Sequence, residues 1–252
     1  MELFHRQAGE GKPVIILHGL FGTSDNWQII AKKMAETHQV FTVDLRNHGQ
    51  SFHSDEFGYG LMAEDIEEFI DTHSIEKPVI IGHSMGGKVA MRSALLFPEK
   101  ITSIISVDMA PKYYPVRHER IIDALTNARI ADAASRKEID EQLAVKIPNF
   151  GERQFLMKNL KRKQEGGFEW KMNLPIISSK IENLGEAIHG DEIIHVPALF
   201  IRGSNSDYIL DSDFPEIQKT FPESEFVTIE DAGHWVHADK PQELLDAFYD
   251  FI

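Results

Sequence analysis

The 252-residue chain contains no cysteine. That absence excludes a disulfide framework, a thiol nucleophile and any zinc or iron–sulfur site held by cysteine, so a nucleophile in this chain is expected to be an oxygen. Long apolar runs are missing too. Val14–Leu17 is the longest near the start, far short of the roughly 20 residues that cross a bilayer. The opening Met1-Glu2-Leu3-Phe4-His5-Arg6 has no apolar h-region of a secretory signal. The expectation is a cytoplasmic protein without a membrane partner. Positive charge is scarce, with 26 Lys and Arg against 40 Asp and Glu, a net charge of −14. Such a surface repels polyphosphate backbones, so no nucleic-acid partner is expected. The deficit is uneven: residues 113–195 hold 13 basic and 13 acidic residues, so the excess acid lies entirely in the rest of the chain. An acidic small molecule approaching 113–195 is therefore not opposed by the total charge.

What is present is an alternation. Val14-Ile15-Ile16-Leu17, Val40-Phe41-Thr42-Val43, Val79-Ile80-Ile81 and Ser103-Ile104-Ile105-Ser106-Val107 are short β-branched runs, as expected of strands buried on both faces of a parallel sheet. Helical spacing separates them: Trp27, Ile30, Ala31 and Met34 after Asn26; Met62, Ile66, Phe69 and Ile70; then Val89 to Leu95. This is a βαβ pattern. From about Tyr113 to His195 no strand pattern is evident, and several short helices are expected. Ala198–Ile201 and Glu225–Ile229 restore the strands, and a last helix starts near Pro241 with Leu244, Leu245, Phe248 and Phe251 on its apolar face. The predicted organisation is an α/β core of residues 1–112 and 196–252, interrupted by a helical insertion over 113–195.

Gly82-His83-Ser84-Met85-Gly86 matches G-x-S-x-G and lies between a predicted strand and a predicted helix, the context this motif requires. A serine on so sharp a turn lifts its hydroxyl clear of the sheet, and the crowding demands small neighbours. The helix start beyond it aims unpaired N–H groups at a developing oxyanion. Gly82 to Lys88 also spells G-x-x-x-x-G-K, but Val89 stands where a phosphate loop needs Ser or Thr for magnesium. His234 follows the strand ending at Ile229, and the order serine, acid, histidine is maintained. It is the candidate base for Ser84, and His237 is read as a residue approaching the next helix. His18-Gly19-Leu20-Phe21-Gly22 ends the first strand. Its Leu20 N–H, with that of Met85, is the candidate oxyanion hole, His18 holds the loop, and Phe21 and Trp235 are candidate substrate contacts. No H-E-x-x-H and no G-x-G-x-x-G occurs, so neither a metal nor any other cofactor is expected.

These motifs, with Asp44-Leu45-Arg46-Asn47-His48-Gly49-Gln50-Ser51 and Asp231-Ala232-Gly233-His234-Trp235, resemble the α/β-hydrolase superfamily over essentially the whole chain. Asn47 replaces the glycine usual in the second motif. Ser106-Val107-Asp108-Met109-Ala110-Pro111 and Arg202-Gly203-Ser204-Asn205-Ser206 look more narrowly like the YbfF-type small serine esterases. The resemblance implies a mostly parallel central sheet with helices on both faces and a helical cap inserted after strand 6 of the family's count. It also implies hydrolysis of small to medium acyl esters or thioesters without a cofactor. In those esterases the acid follows the sixth strand and a serine keeps the more usual place, which implies Asp108 as the acid and Ser206 as its support. Asp207, one residue beyond that usual place, is the alternative, though its polar surroundings read as more solvated. Lys158, Lys161, Arg162 and Lys163 form a basic cluster, read either as a solvated helix face or as a dock for a phosphate-bearing leaving group such as coenzyme A. Other serine chemistries of the scaffold (thioesterase, carbon–carbon hydrolase, perhydrolase) and a non-catalytic binding module remain open.

Overall fold

The computed structural model describes residues 2–188 and 192–252. The buried runs form β2 (Lys12–Leu17), β3 (His38–Val43), β4 (Val79–His83), β5 (Ser103–Val107), β8 (Ala198–Gly203) and β9 (Ser224–Ile229), all parallel. A first strand, β1 (His5–Ala8), pairs antiparallel with β3 at the edge, giving the order β1-β3-β2-β4-β5-β8-β9. The two-residue pleat divides the strand residues between two cores. Ile15, Leu17, Phe41, Ile80, Ile104 and Phe200 face α2 (Tyr59–Thr72), α3 (Met85–Leu96) and α8 (Phe214–Thr220). Val14, Ile16, Val40, Ile81, Ile105 and Ile201 face α1 (Gln28–Met34) and α10 (Pro241–Phe251). Helices thus cover both faces, and every residue of β4 and β5 is buried.

Between β5 and β8 the chain leaves the sheet. It forms α4 (Glu119–Asn127), α5 (Arg136–Ala144), α6 (Phe150–Met157) and α7 (Leu174–Ser179). The expectation of helices alone is corrected by an antiparallel hairpin of β6 (Leu160–Arg162) and β7 (Phe168–Trp170). Its turn carries Gly166 and Gly167 in the left-handed region (φ 101° and 69°), which glycine enters at little cost. Residues 189–191, inside the expected insertion, lie outside the described residues.

This segment is tied down over the C-terminal ends of the strands. Asn159 Nδ2 donates to Phe21 O (2.6 Å), Asn183 Nδ2 to Phe57 O (2.8 Å) and Tyr59 Oη to Leu184 O (2.9 Å). Asn47 explains its own departure from glycine. Its φ is +64°, a region asparagine enters more readily than most side chains, and its carbonyl and Oδ1 accept from the N–H (2.9 Å) and Nδ2 (3.0 Å) of Asn173.

Candidate active site

β4 delivers Ser84 into the turn before α3. Its backbone sits at φ 52°, ψ −117°, a costly conformation for a residue with a side chain, held only when its surroundings over-determine it. The surroundings are specific: a Cβ on Gly82 would lie 2.0 Å from Gly86 O, and one on Gly86 would lie 2.5 Å from Leu17 O. Ser84 N–H donates to Val107 O (3.0 Å), locking the turn to β5.

Ser84, His234 and Asp108 come together from three separate strand ends. His234 Nε2 lies 3.1 Å from Ser84 Oγ, and His234 Nδ1 lies 2.7 Å from Asp108 Oδ2. Asp108 is fully buried, ends β5 and also adopts a positive φ of 53°. Its Oδ1 accepts from Gly203 N–H (3.2 Å), and its Oδ2 also accepts from Ser206 Oγ. A buried carboxylate so supplied with donors is fixed in direction. Asp207 is elsewhere: it is exposed and pairs with Arg117 (2.8 Å). It makes no hydrogen bond to His234 among those of the described residues. The histidine ring is packed as well as bonded, stacked on Tyr208 at 3.8 Å between centroids.

Leu20 and Met85 line the cleft beside Ser84, and neither N–H donates to a protein group among the hydrogen bonds of the described residues. Neighbouring amides are used: Phe21 N–H donates to His48 Nε2 (3.3 Å) and Gly22 N–H to Gly19 O (2.9 Å). His18 holds the loop as expected, its Nε2 accepting from Leu45 N–H (3.0 Å), which leaves the proton on Nδ1 for Gly19 O (2.8 Å). Burial pushes His18 down to about 4 and His48 to about 3, so both are neutral scaffolding.

Two lobes meet at Ser84. One is lined by Met85, Met109, Tyr59, Tyr114, Ile181 and Leu184. The other is lined by Phe21, His234, Trp235, Phe155, Leu156 and Glu152. Phe21 and Trp235 thus both line the second lobe. Trp235, Phe155 and Glu152 also border an outer groove that includes Lys158.

The remaining basic cluster is not a helix face. Lys161 and Arg162 are on β6, Lys161 pairs with Glu169 (3.0 Å), Lys163 with Glu165 (3.2 Å), and Arg162 lies over the Phe168 ring. None of these three lines either lobe. The overlapping phosphate-loop motif is likewise spent. Lys88 is fully buried and donates to the carbonyls of Glu186 and Gly185; burial lowers it to about 7.

Some site residues carried no recognisable sequence signal. His118 lines both lobes from the insertion. Tyr208 lies outside every motif. His83 is the variable position of G-x-S-x-G, and its Nε2 bonds to His234 O (2.8 Å). His237 stacks on Trp27 (4.6 Å between centroids) and is pushed down to about 4 by burial and by nearby His234.

A family model described as the alpha/beta hydrolase fold matches residues 12–162. The chain belongs to this family. Among its relatives, esterase YbfF of Escherichia coli K12 is 34% identical over 95% of this chain and 92% of its own length. A zebrafish (Danio rerio) protein named sn-1-specific diacylglycerol lipase ABHD11 is 36% identical over 97% of this chain and 79% of its own length. A solved structure titled marine microorganism esterase superposes with a TM-score of 0.97 at 45% identity, covering 100% of this chain and 99% of that one. This α/β hydrolase is thus similar along its whole length to proteins named as esterases and lipases. Among the described residues no helix is long and apolar enough to cross a membrane.

Proposed function

We propose that this α/β hydrolase is a serine esterase that cleaves small to medium acyl esters or thioesters through an acyl-enzyme. The observation carrying this reading is the continuous hydrogen-bond chain from Ser84 Oγ through His234 to Asp108. Ser84 Oγ passes its proton to His234 Nε2 as it attacks the carbonyl carbon. Asp108 keeps the other ring proton on Nδ1 and stabilises the imidazolium. The carbonyl oxygen, now negative, accepts from the N–H groups of Leu20 and Met85, and Ser206 supports Asp108. Collapse breaks the bond to the leaving group, which takes the proton from His234 Nε2. A water then repeats the sequence and releases the acid.

The proton path sorts the two lobes. The leaving group must face His234, so the alcohol or thiol belongs in the lobe lined by His234 and Trp235. The acyl chain then lies in the lobe of Met85, Met109 and Leu184. Residues 113–188 close both from above as a cap, and a cytoplasmic setting fits the sequence expectations.

A fluorophosphonate tests this reading directly. The expected result is one adduct per chain, at Ser84, abolished in Ser84→Ala, with turnover of p-nitrophenyl esters and acyl-CoA esters of graded length by the wild type. Failure of the wild type to label or turn over any of them would leave a binding module on the same fold.

A further inference from the structure

His118 is a partly buried histidine with no task in the steps above. It precedes α4 in the cap and faces Ser84 across the cleft, lining both lobes together with Leu20 and Ser84. Its ring meets the edge of Phe21 (6.3 Å between centroids). No side-chain hydrogen bond of His118 is present among those of the described residues, whereas His18, His48 and His83 are each bonded. Burial, nearby His234 and Arg117 push it down to about 4, so at neutral pH it presents one N–H donor and one bare nitrogen acceptor. A ligand hydroxyl that enters the cleft can use both.

Further along the alcohol lobe the lining stays mixed. Phe155, Leu156 and Trp235 supply apolar surface, while the mostly buried Glu152 turns one carboxylate oxygen to Arg120 (3.4 Å). The outer groove beyond adds Asn149, Gln154 and Lys158. A plain alkyl alcohol would make no hydrogen bond with these polar groups.

Resting on the esterase reading, we infer that His118 is a specificity-determining residue that hydrogen-bonds a hydroxyl on the carbon next to the ester-bearing carbon of the alcohol, so that the preferred substrates are monoesters of polyhydroxy alcohols. A hydroxyl suits the site better than an amide N–H, because it donates to one ring nitrogen and accepts from the other, whereas the amide N–H only donates.

The test compares kcat/KM for glyceryl 1-butyrate and propyl butyrate, which share the acyl group and the three-carbon alcohol but differ in hydroxyls. The wild type is expected to favour the glyceryl ester. In His118→Leu the ratio of the two values should fall about 10- to 100-fold, the range for losing a hydrogen bond to a substrate hydroxyl. His118→Gln, which keeps a donor and an acceptor, should hold the ratio within about fivefold of wild type on the same ground. A ratio in His118→Leu equal to that of the wild type, whatever the absolute losses, would overturn the inference. So would an equal fall in His118→Gln, which would make the effect one of ring packing. Absence of fluorophosphonate labelling and of p-nitrophenyl butyrate turnover in the wild type would instead remove the esterase reading itself.

Discussion

Asp108 receives hydrogen bonds from Gly203, Ser206 and His234 on two oxygens and has no exposed surface. Each donor removed from a buried carboxylate weakens its hold on the histidine. Ser206→Ala therefore is expected to lower kcat about 10-fold, corresponding to one hydrogen bond to a charged group, with little change in KM. Steady-state kinetics on a p-nitrophenyl ester measure this, and an unaltered kcat would show that Gly203 alone positions the acid. Chain order alone could not separate Asp108 from Asp207, because both obey it. What separates them is environment: Asp108 ends an all-buried strand, whereas Asp207 anchors Arg117 of the cap at the surface. Ser84 and His234 were legible because their motifs encode local geometry. His118 and Tyr208 were not, because the cap and the loop after β8 reach the site only through tertiary packing.

At the scale of elements, the strongest signals were the buried parallel strands, with their short runs rich in β-branched residues. The elements missed are those that pack little. β1 is a four-residue edge strand, His5-Arg6-Gln7-Ala8, mostly exposed, and β6 and β7 have three residues each, with Lys161 and Arg162 in the first. Such short polar strands owe their existence to a partner strand and not to their own pattern. The hairpin nonetheless bears on the site, since Asn159 at its start holds Phe21 O with a buried 2.6 Å bond. Asn159→Ala should destabilise the fold by about 1–3 kcal/mol, because it strands a buried carbonyl; urea unfolding reads this. The strand-to-helix turn is less forgiving. With Gly86 O only 2.0 Å from a Cβ on Gly82, Gly82→Ala must displace Ser84 from its partner. A shift of about 1 Å is worth roughly 100-fold in rate, so kcat should fall at least that far, while a wild-type rate would mean that the turn tolerates the clash.

Across the whole molecule, four neutral histidines lie inside the core side of the site. Burial lowers His18 and His237 to about 4 and His48 to about 3, and holds His83 well below its ordinary value. The unfolded chain takes up these protons near pH 6.5, while the native chain refuses them until about pH 4 or lower. Stability is thus fully present above about pH 6.5 and declines as pH falls toward 4, by up to about 1.4 kcal/mol per pH unit for each histidine. Thermal unfolding between pH 7.5 and 5 should show the Tm dropping steeply below 6.5; a flat Tm would mean that these rings protonate in the native state. The same whole-molecule view explains the charge. The acidic excess belongs to the α/β core, and the insertion over the site is balanced.

The proposed chemistry requires three residues, brought from the ends of β4, β5 and the loop after β9, to act as one unit. The most direct test is kcat on p-nitrophenyl butyrate for wild type, Asp108→Asn and Asp207→Asn, with folding checked by circular dichroism. The expected result is a loss of about 10⁴-fold in Asp108→Asn, as for a triad histidine held in the wrong tautomer, and a change of no more than a few-fold in Asp207→Asn. A large loss in Asp207→Asn with Asp108→Asn still active would contradict the assignment.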